Sequence, residues 1–418
     1  MGTPTREIIE KVRGKVSSYE FKIDSRTKKE HFTRESPLNF ETIMMFTLKL
    51  VKKSMQIEIN EYFDETGKES FVTKQAFSKA RQKIRWEAFE ELFKITVETG
   101  KEADQLRYYN GKYRLLAVDG TTVALESKAE LIEYFGCSGG SKTAATARVS
   151  VLQDVYSGVL YDAIMGSCRE GERRMAARHL KRLSDLDDRE NIVVFDRGYV
   201  SDELIAGCCD MGHYFVMRIR DRWHEKLVKK AASGDIVTIH HRNKVYPVKI
   251  IKLTLPNGTE EVLFSNIDFL ETSDFGKIYA LRWTVETKYD TIKNIIQLEN
   301  TSGLTAASVL QDFFACMTIA NMLAFAKLEA DEKINKANAD KGLKREYQAS
   351  NTMLMGTLRM YFTRMVVADD DEVRDYYADI FFGVIERFSD VKQDHGRSYP
   401  RINKTQRRKY PLRKKSVL

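Results

Sequence analysis

Two short apolar runs constrain this chain more than any other feature. Leu115-Leu116-Ala117-Val118 leads directly into Asp119-Gly120-Thr121-Thr122, and Ile192-Val193-Val194-Phe195 leads into Asp196-Arg197-Gly198-Tyr199. A strand that is apolar on both faces belongs inside a sheet covered by helices. Each run therefore predicts a central strand that delivers a carboxylate to its C-terminal edge, with a glycine close behind. Open α/β sheets hold their ligands at that edge. A single strand-end Asp is more often a turn former, but two in matching contexts predict a pair of acids meeting where neighbouring strands end.

The elements around these runs predict a mixed α/β domain. Val149 to Val155 and Gly158 to Ile164 read as strands about the turn Tyr156-Ser157-Gly158. A helix over Glu170 to Leu186 follows, carrying Arg173, Arg174, Arg178, Lys181 and Arg182. The order strand, strand, strand, helix, strand, helix is that of an α/β fold. From Phe215 to Ile267 the chain is strand-rich again, with Val245 to Leu255 and Glu261 to Ile267 flanking Pro256-Asn257-Gly258. This block reads as a β-rich insertion ahead of a helix from about Phe275 to Gln297. Upstream, residues 38 to 100 are helical in period, and Thr73 opens a segment punctuated by Lys74, Lys79, Arg81, Lys83 and Arg85. Those charges suit either a DNA-reading helical unit or, more commonly, the wet face of an amphipathic helix.

On the predicted helix from Phe275, a turn of about 100° per residue puts Tyr279, Arg282, Glu286, Tyr289 and Lys293 on one stripe. Leu281, Val285, Ile292 and Ile296 form an apolar flank expected to dock on the sheet. By spacing alone the stripe is a solvated face with an ordinary Arg282–Glu286 pair. The sharper alternative has it looking along the sheet edge, where the two Asp residues emerge.

Composition closes off several other classes. At 418 residues the chain has room for two to three domains, and 43% hydrophobic and 31% charged residues with only 6 Pro exclude a largely disordered or collagen-like chain. The most apolar stretch, Phe313 to Ala326, contains Asn321 and falls short of the roughly 20 residues a bilayer requires, so it predicts a buried helix. The start, MGTPTREIIEKVRGKV, lacks an apolar targeting core, which leaves the cytoplasm as the default compartment. Five cysteines without a C-x-x-C pair, and neighbouring His240 and His241 that would face opposite sides of a strand, argue against a disulfide framework or a zinc site. The net charge of +8 resides in the end of the chain. From Val391 onward Lys392, Arg397, Arg401, Lys404, Arg407, Arg408, Lys409, Arg413, Lys414 and Lys415 stand against Asp394 alone. Such a tail suits a polyanion, the blander reading being a solubilising terminus.

Asp119 in V-D-G-T-T, Asp196 in F-D-R-G-Y and the spacing Tyr279-x2-Arg282-x3-Glu286-x6-Lys293 together resemble the DDE transposases of bacterial insertion sequences, in the branch with a Y-R-E-K signature. The resemblance runs over about residues 70 to 325 and includes T-K-Q-A-F-S-K-A-R and A-R-V-S-V-L-Q-D-V. One departure is Gly120, where many relatives carry Ser.

The resemblance implies a ribonuclease-H-like catalytic core in which Asp119, Asp196 and Glu286 are catalytic and bind two Mg²⁺ or Mn²⁺ ions. Such a pair, about 3.5–4 Å apart, clamps the attacking and leaving oxygens of an in-line displacement. Water would cut a strand at the transposon's terminal inverted repeat, and the freed 3'-hydroxyl would attack target DNA. Tyr279, Arg282 and Lys293 would contact DNA phosphates. Trp283 would stack on an extruded base, against the alternative of core packing, and Arg148 and the basic helix around Arg173 to Arg182 would follow the backbone. The implied assembly on double-stranded DNA is a homodimer. The expected division is an N-terminal helical DNA-binding region (1–110), the first part of the core (111–210), the β-rich insertion (211–272), the core completed by the Glu-bearing helix (273–330), and a helical C-terminal region with its basic tail (331–418). Two rivals remain: a metal-dependent nuclease without strand transfer, and a DNA-binding protein that has lost catalysis.

Overall fold

The structure, a computed structural model, describes residues 3–67, 71–137, 144–220, 222–254, 258–282 and 297–392. The basic tail beyond 392 therefore lies outside the described residues. The chain divides into two compact units. One comprises residues 106–122 and 147–289, and the other residues 1–105, 123–146 and 290–418.

The first unit is built on an eight-stranded sheet with the order β3-β2-β1-β4-β5-β8-β7-β6. Its strands are β1 (Arg114–Ala124), β2 (Thr146–Asp154), β3 (Leu160–Ser167), β4 (Asn191–Phe195), β5 (Tyr214–Arg218), β6 (Ile236–His241), β7 (Lys244–Thr254) and β8 (Glu260–Ser265). β1, β4 and β5 are parallel neighbours. The β2/β3 pair and the run β5, β8, β7, β6 are antiparallel. All five residues of β4 are buried, as a strand in mid-sheet requires, whereas β6 alternates towards solvent as an edge strand does. The β2–β3 turn falls on Tyr156-Ser157-Gly158, as the sequence predicts: the Asp154 carboxylate accepts from the Ser157 N–H and hydroxyl, both at 2.6 Å, and Gly158 takes a φ of 83°. Helices Glu172–Ser184 and Asp202–Asp210 connect β3 to β4 and β4 to β5.

The block read as an insertion differs from that reading in one respect. Its strands extend the same sheet, and one apolar cluster runs from Leu115, Ala117, Ile192 and Val194 through Val216 to Ile251 and Leu263. A block that shares its core with its neighbours has no separate layer of its own.

The second unit is helical around a 33-residue helix, Ala306–Asn338, opened by a reciprocal Thr305/Ser308 cap. The apolar stretch Phe313 to Ala326 sits within it and is largely buried. Helices Phe40–Leu48, Met55–Glu65, Lys74–Arg81 and Glu87–Gly100 come from the N-terminal region, and Asn351–Phe362 and Asp371–Arg387 from the C-terminal region. These two regions share one unit because their ends interlock: Thr5 donates its N–H and its hydroxyl to Glu329, each at 2.8 Å. Arg81 does not lie on a wet face. It is 3% exposed and forms four hydrogen bonds, to Gln311, Ser302, the Ser308 carbonyl and Asp312.

Candidate active site

Asp119 and Asp196 are placed by the pairing of two parallel strands. β1 and β4 are in register from Arg114↔Asn191 to Ala117↔Val194. Each Asp lies two residues beyond the last of those partners, so the acids occupy equivalent positions on adjacent strands. The apolar residues before them are fully buried, which anchors both strands and leaves Asp119 and Asp196 partly exposed where the pairing stops. After Asp196 the chain turns at once, with the Tyr199 N–H donating to the Asp196 carbonyl at 3.0 Å. The turn expected after Asp119 does not form. Strand β1 continues to Ala124, because Thr121, Thr122 and Val123 favour extended backbone. Asp119 therefore sits within a strand, at the point where its partner β4 has ended.

The helix across 272–282 brings Tyr279 to Asp196. Phe275, Ile278 and Tyr279 are buried in the same apolar cluster as Leu115 and Val194, and Arg282 is 4% exposed. The docking face is thus Phe275, Ile278, Tyr279 and Arg282, at helical spacings of three and four, while Leu281, expected on that face, is only partly buried. The large ring of Phe275, one turn before Tyr279, decides the matter, since it extends the apolar stripe through Tyr279. The Tyr279 hydroxyl donates to Asp196 Oδ1 at 3.3 Å, and the Arg282 guanidinium lies 5.6 Å from the Tyr279 ring centre. Burial pushes the Tyr279 phenol up to about 12; Asp196 adds to the rise, and Arg282 and Arg218 oppose it. A phenol so placed remains a proton donor at neutral pH. Two residues expected to face DNA phosphates are therefore buried here, with the Tyr279 hydroxyl turned to an acid. Trp283, Glu286 and Lys293 lie outside the described residues.

On the other side, β2 and the helix Glu172–Ser184 support Asp119. Ser150, fully buried on β2, donates its hydroxyl towards the Asp119 carbonyl at 3.4 Å. The same hydroxyl is hydrogen-bonded to His179 Nε2 at 3.0 Å, and His179 Nδ1 to Asp162 at 2.6 Å. Arg182 also donates to Asp162, at 2.8 Å. Burial raises the Asp162 pKa, but His179 and Arg182 pull it further the other way, so the carboxyl sits below its ordinary value. Arg148, expected on the DNA backbone, donates to Glu172 at 2.6 Å and to the Cys168 carbonyl at 3.4 Å. Arg173, Arg174, Arg178 and Lys181 are exposed. Sequence reasoning missed His179, Ser150, Glu172 and Tyr199. The one available signal was His179 itself, a polar residue among Met175, Ala176, Leu180 and Leu183 on the buried face of its helix.

Comparison with known proteins settles the family. The family model described as the transposase DDE domain matches residues 110–322, just over half of the chain. This chain belongs to the DDE transposase family. Among curated proteins it is similar to transposase InsG of insertion sequence element IS4 from Escherichia coli (strain K12), with 21% identity over 291 residues. The match covers 64% of this chain and 64% of that relative, so it spans slightly less than two thirds of the relative's length. It lies in the branch that the Y-R-E-K spacing singles out. A solved structure of the piggyBac transposase synaptic complex with hairpin DNA aligns over 92% of this chain and 86% of that one, with 11% identity and a TM-score of 0.48. That score carries no argument about shared fold.

DDE transposases as a class use divalent metal ions, and the chemistry of the acid pair fits them. Carboxylate oxygens are the hard ligands that Mg²⁺ and Mn²⁺ take. The Tyr279 hydroxyl on Asp196 is the kind of outer partner that orients a ligating carboxylate. Among the described residues no three His, Cys, Asp or Glu side chains converge as a cation site. The edge shared by β1 and β4 supplies two acids, and Glu286, the third acid of the family resemblance, is beyond them.

Proposed function

We propose that this DDE transposase cuts double-stranded DNA at the terminal inverted repeats of its own element and joins the freed 3'-hydroxyl to target DNA. The observation that carries the reading is the equivalent placement of Asp119 and Asp196 on adjacent parallel strands, within a segment matched by the transposase DDE domain. Asp119, Asp196 and Glu286 would hold Mg²⁺ or Mn²⁺ on a ribonuclease-H-like core. Divalent cations bound there polarise the scissile phosphate and make water a nucleophile at neutral pH. The chain's own residues do the rest. Tyr279 orients Asp196 by its hydrogen bond, the Ser150–His179–Asp162 chain seats the strand that bears Asp119, and Arg282 and Lys293 supply positive charge for the phosphates. Two copies of the chain would bridge two ends.

The test incubates the full-length protein with Mg²⁺ or Mn²⁺, a duplex carrying the inverted repeat that flanks its coding region, and a target plasmid. Wild type should cut and join, and Asp119→Asn and Asp196→Asn should do neither while still binding the duplex. Cut ends that never join would replace the reading with that of a nuclease. Equal cutting by wild type and Asp119→Asn would remove the acids from catalysis.

A further inference from the structure

Tyr199, three residues after Asp196, is 97% buried by its 3% exposure, and its hydroxyl has no hydrogen-bond partner. A buried hydroxyl left in this state costs on the order of 1–3 kcal/mol, which calls for an explanation. The ring is held beside Phe195, with centroids 5.9 Å apart, so the hydroxyl cannot swing away to solvent without breaking that packing. Its direction is given by its neighbours. A methyl group built on Gly120, the residue after Asp119, would lie 3.2 Å from the Tyr199 hydroxyl, 3.5 Å from the Val149 carbonyl and 3.7 Å from Glu172 Cγ. One built on Gly198 would lie 3.5 Å from Glu172 Oε2. The phenol thus points into the space bounded by Asp119, Glu172 and the turn that follows Asp196.

Burial raises the Tyr199 pKa well above its ordinary value, and the charges of Asp119, Glu172 and Asp196 add to it, Asp119 most among the three. The neighbouring Ser150 hydroxyl pulls weakly downward. It is already engaged with His179 and the Asp119 carbonyl, and it offers the phenol no hydrogen bond of acceptable geometry. Of the three carboxylates, Glu172 is paired with Arg148 at 2.6 Å and Asp196 accepts from Tyr279. That leaves Asp119 as the acceptor best matched to this donor.

We infer that Tyr199 is a positioning residue for Asp119, its buried hydroxyl donating to the Asp119 carboxylate when that acid turns to hold a cation. The inference rests on the reading of Asp119 and Asp196 as cation ligands. It assigns Asp119 the same kind of phenolic partner that Asp196 has in Tyr279, so that each acid is steadied by a tyrosine from a different element.

Mn²⁺ titration of the full-length protein, followed by the electron paramagnetic resonance of unbound ion, separates the two claims. Wild type, Asp119→Asn and Tyr199→Phe are compared, each with its thermal unfolding midpoint measured without metal. Removing an outer partner of a metal ligand weakens affinity by roughly 10–100-fold. Tyr199→Phe should therefore bind Mn²⁺ about 10-fold more weakly than wild type, with an unfolding midpoint that is unchanged or raised, since the hydroxyl it removes has no partner. Wild-type affinity in Tyr199→Phe, with loss in Asp119→Asn, overturns the inference and leaves the acids in place. A lowered midpoint in Tyr199→Phe also overturns it, because the hydroxyl would then be a structural group. If wild type binds no Mn²⁺, or Asp119→Asn binds as wild type does, the reading of the acids falls and the inference with it.

Discussion

Replacing His179 with Leu tests the buried chain of hydrogen bonds that supports Asp119. His179 is fully buried and bonded at 2.6 Å to Asp162 and 3.0 Å to Ser150. Leu fills most of the ring's volume, so the cost comes mainly from the two lost bonds. A bond to a charged carboxylate contributes about 1.5–3 kcal/mol and a neutral one about 0.5–1.5, giving roughly 2–4.5 kcal/mol in all. Arg182 remains on Asp162 at 2.8 Å and keeps the loss from reaching that of a fully unpaired buried charge. Native-state hydrogen exchange of the β2 and β3 amides reads this local stability directly. The double variant with Asp162→Leu should lose less than the sum of the single losses, by about 1–3 kcal/mol, because residues in one network couple. The acid limb adds a signed test. The Asp162 carboxyl is held below its unfolded value, so its stabilisation is full above about pH 4, the unfolded value, and is lost as pH falls through the lower folded value. Asp162→Asn should flatten that limb. A loss under about 1 kcal/mol in His179→Leu, or strict additivity in the double variant, would refute the reasoning.

Three further outcomes follow from other contacts. Arg81→Met should destabilise by about 3–5 kcal/mol in urea unfolding, because Asp312 is left buried without its cation. The Asp312 carboxyl, raised by burial but lowered further by Arg81, would then lose the group that depresses it, so the deficit should shrink as pH falls towards 4. Gly100→Ala should cost about 1–3 kcal/mol in thermal unfolding, since its methyl group would collide with the Phe325 ring of the long helix. Tyr279→Phe should cost about 1 kcal/mol at pH 7. It should also remove a loss of stability that wild type shows as pH rises from the unfolded phenol value near 10 through about 12, the direction expected of a group whose folded value is raised.

Much of the core was legible in the chain itself. The runs before Asp119 and Asp196 are apolar on both faces, so they had to be internal strands, and the alternation of elements required an α/β layer. The helical period likewise put Tyr279 and Arg282 on one stripe. It did not show which stripe docks: Leu281 was expected inward, and Phe275, Ile278 and Tyr279 hold that place. Arg81 is a comparable case. By residue type it belonged on a wet face, and only packing against Gln311 and Asp312, more than two hundred positions away, turned it inward.

What the sequence by itself determined is local: where strands and helices run, which faces are apolar, and which carboxylates stand at the ends of buried strands. Neighbouring residues settle those properties through sterics and hydrophobic period. Tertiary structure alone decided that Asp119 and Asp196 share a register, that the strand-rich block extends the same sheet, and that His179, Ser150 and Asp162 form one hydrogen-bonded chain. Each depends on which distant segments pair and in what alignment, and a shift of a single residue in a strand turns every side chain to the opposite face.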